Sequence, residues 1–273
     1  MFYSREMRIA KFLAQFLHRG SLSLLLLALG CTFQNLAVKQ LDTLVSYQTG
    51  QRLALYTQQK KALDLDVKSF LLEEKGHVPR ARALLQELPP PRTEALTQLW
   101  QRAMDLYLAV ARDYTRLLCR YLVQLDASQR EIFFRKLAEE NAELKKKKES
   151  SLPERLEFFL GPLSKDQRKI LENDSGASRK RHRERLRRRV GLQAELKIQL
   201  ERTFPTQEER TQELSKTLPA LFEASQQAQV EDTSVRDLLG ALLPTLTPAQ
   251  LQHLREKRQE ALGLLELFLE TSY

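Results

Sequence analysis

Between residues 93 and 125 the chain has one structural option. Leu96, Leu99, Trp100, Ala103, Tyr107, Val110, Tyr114, Leu117, Tyr121 and Leu125 recur mostly at steps of three and four. That period places them all on one face of a helix about 30 residues long. The aromatic members of the stripe read as core. A second segment of this kind runs from Ser128 through Ile132, Phe133, Leu137 and Leu144, and a third closes the chain from Leu251 to Leu269. Shorter ones cover 36–47, 58–74, 79–88, 207–229 and 234–243. Glycine and proline are scarce, 9 and 10 in 273 residues, which suits long helices better than turn-rich sheets. No convincing strand run is present, so the expectation is an all-α, elongated multi-helix assembly.

The breaks between segments are chemical. Pro89-Pro90-Pro91 must end a helix, because proline lacks the backbone donor and restricts the residue before it. Ser150-Ser151 and Asn173-Asp174-Ser175-Gly176 read as turns. The run Lys145 to Lys148 reads as a solvated helix end, where cations meet the negative end of the macrodipole.

One short pattern recurs. Leu163-Ser164-Lys165-Asp166-Gln167 and Leu246-Thr247-Pro248-Ala249-Gln250 share Leu, Ser or Thr, two residues, then Gln. Leu125-Asp126-Ala127-Ser128-Gln129 carries Asp at the second place. Leu55-Tyr56-Thr57-Gln58-Gln59 is a degraded copy, since Tyr56 cannot cap. The pattern is a capping box: the Ser, Thr or Asp oxygen accepts from the backbone N–H three residues on, and the Gln side chain returns to the cap's own N–H. The preceding Leu can act as a hydrophobic staple, and Pro248 sits where a missing donor does no harm. Four helix starts are therefore predicted, at spacings too irregular for a solenoid.

The N-terminus reads as a secretory signal. Arg5, Arg8, Lys11 and Arg19 precede an apolar core from Leu22 to Leu29 interrupted only by Ser23, and Gly30 stands before Cys31. A spanning helix needs about 20 apolar residues, and extending this run backwards meets Arg19, His18, Gln15 and Lys11. Ala28-Leu29-Gly30-Cys31 resembles a bacterial lipobox, with Ala28 in place of the usual Leu. The resemblance implies cleavage before Cys31 and acylation of its thiol, giving a signal peptide over 1–30 and a single helical domain over 31–273. Several acyl chains anchor stably where one gives marginal binding. Thr32 after the Cys implies outer-membrane placement, with the body facing the periplasm. Loss of residues 1–30 lowers the formal charge from +9 to +6. With Cys31 lipidated only Cys119 remains, so no intramolecular disulfide forms, and Cys119 reads as a packed small apolar residue.

The second resemblance rests on the repeated helix starts. Such starts on an exported helical chain are similar to those of an uncharacterised family of Gram-negative lipoproteins. Its features occur here in order: the lipobox, Leu41-Asp42-Thr43-Leu44, the Gln59 start, Val78-Pro79, Leu125 to Asn141, Leu160-Gly161-Pro162-Leu163 to Gln167, and Leu246 to Leu254. Gly76-His77 stands where that family has Trp-His. The resemblance covers nearly the whole mature chain and implies no activity, because the family has none assigned. Small periplasmic helical chaperones of envelope stress share only the motif.

Catalytic constellations are thin. After the signal the histidines are His77, His182 and His253, far apart in sequence, with no His-Glu-x-x-His or paired-Cys setting, so no metal site is expected. Gly-rich phosphate loops and nucleophile elbows are missing too, and neither a cofactor nor an enzymatic role is expected. The remaining feature is the basic run Arg179, Lys180, Arg181, Arg183, Arg185, Arg187, Arg188 and Arg189, eight cations in eleven residues. It reads as opening a helix that continues through Val190, Leu192, Leu196 and Leu200. Cations in the first turns of a helix oppose its macrodipole, so local stability does not explain them. They form either a solvated face or a contact for an anionic partner: lipid headgroups, lipopolysaccharide or an acidic envelope protein. Export argues against nucleic acid. The expected role is non-enzymatic binding, as an adaptor or a chaperone-like surface, with a membrane-surface or lipopolysaccharide-binding module as the alternative.

Overall fold

A computed structural model describes residues 31–88, 93–146, 152–230 and 234–273. Residues 1–30, read as a signal, Lys147 and Lys148 of the expected helix end, the proline triplet and Ser150-Ser151 lie outside these residues. Every regular element among the described residues is helical: α1 (Cys31–Lys39), α2 (Leu41–Arg52), α3 (Thr57–Glu74), α4 (Val78–Gln86), α5 (Thr93–Gln124), α6 (Ala127–Lys146), α7 (Leu152–Leu160), α8 (Lys165–Glu201), α9 (Gln207–Val230), α10 (Ser234–Leu242) and α11 (Pro248–Glu270), with short 3₁₀ turns at Lys75–His77 and Leu243–Thr245. The all-α expectation holds. The pattern over 36–47 divides at Gln40 into α1 and α2.

All four repeated motifs start helices, and the structure adds that they join in pairs. At α8 the Gln167 N–H donates to Ser164 Oγ at 3.2 Å, and Gln167 Oε1 accepts from the Ser164 N–H at 2.9 Å. At α11 the same two bonds link Gln250 and Thr247, at 3.2 and 3.1 Å. The two glutamines then exchange bonds: each Nε2 donates to the other's Oε1 at 2.9 Å. Each amide also grips the carbonyl just before its partner's Leu, Gln167 that of Thr245 at 3.0 Å and Gln250 that of Pro162 at 2.9 Å. Both side chains are buried, and their hydrogen bonds offset the desolvation that a buried amide would otherwise carry.

The first two copies also meet, with one glutamine as the donor. Gln129 Nε2 donates to Gln59 Oε1 at 2.7 Å and to the Ala54 carbonyl at 3.0 Å. Ala54 is the residue before Leu55, and it holds a left-handed φ of 53° to bring that carbonyl round. Tyr56, which does not cap its own helix, donates its hydroxyl to Asp126 Oδ2 at 2.8 Å. Asp126 is the cap of the other copy. The Gln129 N–H and then the Tyr56 hydroxyl hold its carboxyl below the usual range.

The larger core draws on both halves of the chain. It contains Val38, Leu41, Val45, Leu63, Val67 and Leu71 of the first three helices, Leu117 and Leu122 of α5, Phe133 and Leu137 of α6, Leu196 and Leu200 of α8, Leu214 and Leu218 of α9, and Leu264 and Phe268 of α11. Pro219 lies inside α9, where it removes a backbone donor. Leu214 and Leu218, fully buried just before it, hold the helix against α5 and α8. A smaller core joins Leu156, Leu160, Leu163, Leu171, Leu238 and Leu242. Cys119 is buried in the larger core and burial pushes its thiol up to about 12, as befits a packed residue.

Two expectations fail on α8. Asn173-Asp174-Ser175-Gly176 is not a turn, because one helix of 37 residues runs through it. The basic run therefore lies in mid-helix and not in the first turns, which removes the macrodipole argument. None of those four residues costs more than about 1 kcal/mol in a helix. Burial at both ends, of Leu171 in the smaller core and Leu196 and Leu200 in the larger, outweighs that sum.

Gly161 ends α7 with a φ of 76°, and its N–H donates to the Glu157 carbonyl at 2.8 Å. This is the left-handed cap that glycine adopts without strain. Gly161→Ala meets only ordinary contacts with the His253 ring, so the backbone alone should cost about 1 kcal/mol. Chemical denaturation of the two proteins measures it, and an unchanged midpoint would show that the cap carries no strain.

Candidate functional site: the exposed ridge of α8

The direction of each cation follows from helical geometry. At about 100° per residue, Leu171, Arg189, Leu196 and Leu200 fall within one narrow inward sector. Arg189 is consequently drawn into the interior. Its Nη2 donates to Glu140 Oε2 and its Nε to Asn141 Oδ1, both at 2.7 Å. Arg52 of α2 donates to the other oxygen of Glu140 at 2.9 Å, so this carboxylate links α2, α6 and α8. Burial lowers the Arg189 pKa while Glu140 opposes the shift. Arg181 is also taken up internally, its guanidinium bonded to both carboxylate oxygens of Asp174 one turn before the run begins.

The other six, Arg179, Lys180, Arg183, Arg185, Arg187 and Arg188, are exposed. Among the described residues none of them has an ion-pair partner within 4.0 Å. Arg179, Lys180, Arg183 and Arg187 share one sector of about 100° that is turned away from the buried stripe. Like charges three and four residues apart oppose the helix by about 0.2–0.5 kcal/mol a pair, so this ridge lowers local stability. Val190 and Ile198, 47 % and 62 % exposed, continue it in the same sector. The result is a cationic surface about 12 Å long, followed by two exposed apolar side chains.

The sequence located the run but could not separate its inward and outward members. The phase of a helix is set by what it packs against, and the polar stretch between Leu171 and Leu196 hides that phase. Nor could the sequence bring His77 of the first 3₁₀ turn beside Glu74 of α3 and Asp113 of α5. Their ligand-type atoms lie within 4.8 Å of one another. Glu74 and His77 are spaced three apart, which is a weak signal, but Asp113 arrives only through the packing of α5. His182 and His253 join no such group among the described residues. His253 is half-buried, with Nε2 3.1 Å from the Phe158 carbonyl.

No helix among the described residues is long and apolar enough to cross a membrane. Comparison with protein-family models, curated proteins and solved structures finds no match to this chain.

Proposed function

We propose that this chain is a lipid-anchored protein of the bacterial outer membrane, tethered through Cys31 and facing the periplasm, with a non-enzymatic binding role as an adaptor for an envelope protein. The observation that carries this reading is the outward ridge of α8. Arg179, Lys180, Arg183 and Arg187 repel one another, take no part in the core and have no internal acid to meet. Val190 and Ile198 extend the ridge with apolar surface, which suits a protein partner that offers acidic groups beside an apolar patch. A second reading is a contact with anionic lipid or lipopolysaccharide. It is favoured by α1, which starts at Cys31 and is already docked at Val38, so a lipid on Cys31 would hold the helices close to the bilayer.

Cross-linking in intact envelopes, followed by recovery of the chain, tests both. The variant with Arg179, Lys180, Arg183 and Arg187 all changed to Gln should keep its helical content and melting temperature, since it removes repulsion. It should lose the cross-linked partner, and partner binding by the parent should weaken steeply with salt, because the Debye length is about 8 Å at physiological ionic strength. Binding to anionic vesicles or lipopolysaccharide, lost in the same variant, would favour the second reading. Equal capture by parent and variant would show that the ridge is only solvated.

A further inference from the structure

We infer that Glu74, His77 and Asp113 form a binding site for a divalent first-row transition cation. The three come from different elements that the larger core locks together: Glu74 is the last residue of α3, His77 closes the 3₁₀ turn that follows, and Asp113 projects from α5, which packs on α3. Their ligand-type atoms all lie within 4.8 Å of one another, and His77 Nε2 is 3.9 Å from Glu74 Oε2.

The independent mark of a ligand is Glu74 itself. Its side chain is only 7 % exposed, and its Oε2 is buried with no hydrogen-bond partner. An ionised carboxylate in that position is strongly disfavoured unless a positive charge or donors face it. Its surroundings make this worse. The carboxylate of Asp113 lies beside it, Glu73 is its chain neighbour, and the C-terminal end of α3 adds the negative pole of the helix.

The nearby cations do not resolve this. Lys75, the next residue, is turned away, its Nζ donating to the carbonyls of Leu269 and Thr271 at 2.8 and 2.7 Å. Arg116 reaches Asp113 at 3.1 Å but from the solvent side, 65 % exposed. His77 at 3.9 Å is beyond hydrogen-bonding range of the oxygen.

A metal ion would meet all of these needs together. Two carboxylate oxygens and one imidazole nitrogen suit zinc and its first-row neighbours, whereas magnesium and calcium prefer oxygen alone. Bonds of about 2.0–2.2 Å place tetrahedral ligands roughly 3.3–3.6 Å apart, so the side chains need to close by about an ångström. Water can complete the shell, because His77 and Asp113 are only half-buried.

The test uses the full chain in detergent, stripped with a chelator and titrated with zinc chloride by calorimetry and by thermal melting. The parent should take up one equivalent tightly and melt higher when loaded. Glu74→Gln, His77→Ala and Asp113→Asn should each weaken zinc binding at least tenfold, the scale of losses at metal sites. Arg116→Gln should tighten it, since it removes a competing cation from Asp113. Millimolar magnesium or calcium should not displace zinc. Glu74→Gln should melt no lower than the parent when both are metal-free, which separates loss of binding from loss of fold. Equal zinc affinity in the parent, Glu74→Gln and His77→Ala would overturn the site.

Discussion

Gln167→Ala should destabilise the protein by about 3–5 kcal/mol, with each buried group left unpaired costing about 1–3 kcal/mol. Gln167 is fully buried, and its amide serves both its own helix and a distant one. Truncation strands the Ser164 N–H and the Thr245 carbonyl, and it takes one hydrogen bond from each amide atom of Gln250, which keep the Thr247 N–H and the Pro162 carbonyl. For a chain of this size the loss corresponds to a fall in Tm of about 6–10 °C. Capping alone would cost about 0.5–2 kcal/mol, so the excess measures the bond between helix starts. The pair Gln167→Ala and Gln250→Ala should therefore couple: the double variant should lose about 1–3 kcal/mol less than the sum of the single losses. Additive losses would mean two independent caps and no interlock. Gln59, half-buried and part of the degraded copy, should be less sensitive than Gln167.

Cys31→Ser has the other large expected effect, on location rather than stability. If Cys31 carries lipid, its removal should abolish fatty-acid labelling and move the protein from the membrane fraction to the soluble periplasm. Several acyl chains give an anchor that no other described feature replaces: no described helix can span a bilayer, and exposed cations alone bind a charged surface weakly and reversibly in salt. Folding should be unaffected. Ala37 and Val38 of α1 are buried, and the Val38 carbonyl accepts from the Tyr273 hydroxyl at 3.1 Å. Only about 10 Å of helix separates Cys31 from that dock. A variant that still labels and still sediments with membranes would remove the lipoprotein reading.

Much of the helix map was legible because its signals are local. Capping boxes placed the starts of α6, α8 and α11, and the Gln59 return placed α3 even with tyrosine at the cap. The 3–4 period fixed α5 almost to the residue. What escaped is tertiary in origin. That Gln167 meets Gln250, and Gln59 meets Gln129, depends on which starts the fold brings face to face, and nothing within five residues encodes it. The four residues Asn173 to Gly176 carry a turn composition but sit between two buried anchors on one helix, and the anchors prevail. At the candidate site the residue types were visible and their directions were not. Arg189 and Arg187 read alike in sequence, yet one is tied to Glu140 and the other faces solvent.

The continuity of α8 has a consequence for how this protein can vary. Between Leu171 and Leu196 the helix spans about 37 Å with its two ends committed to different cores. Substitutions on its outer side change charge or contact and leave both commitments intact. A single inserted or deleted residue would instead turn one end against the other by about 100° and shift it 1.5 Å along the axis. Either Leu171 would leave the smaller core or Leu196 and Leu200 would leave the larger. The middle of α8 is thus permissive in composition and strict in length, the reverse of a surface loop, and sequence drift there is confined to replacement.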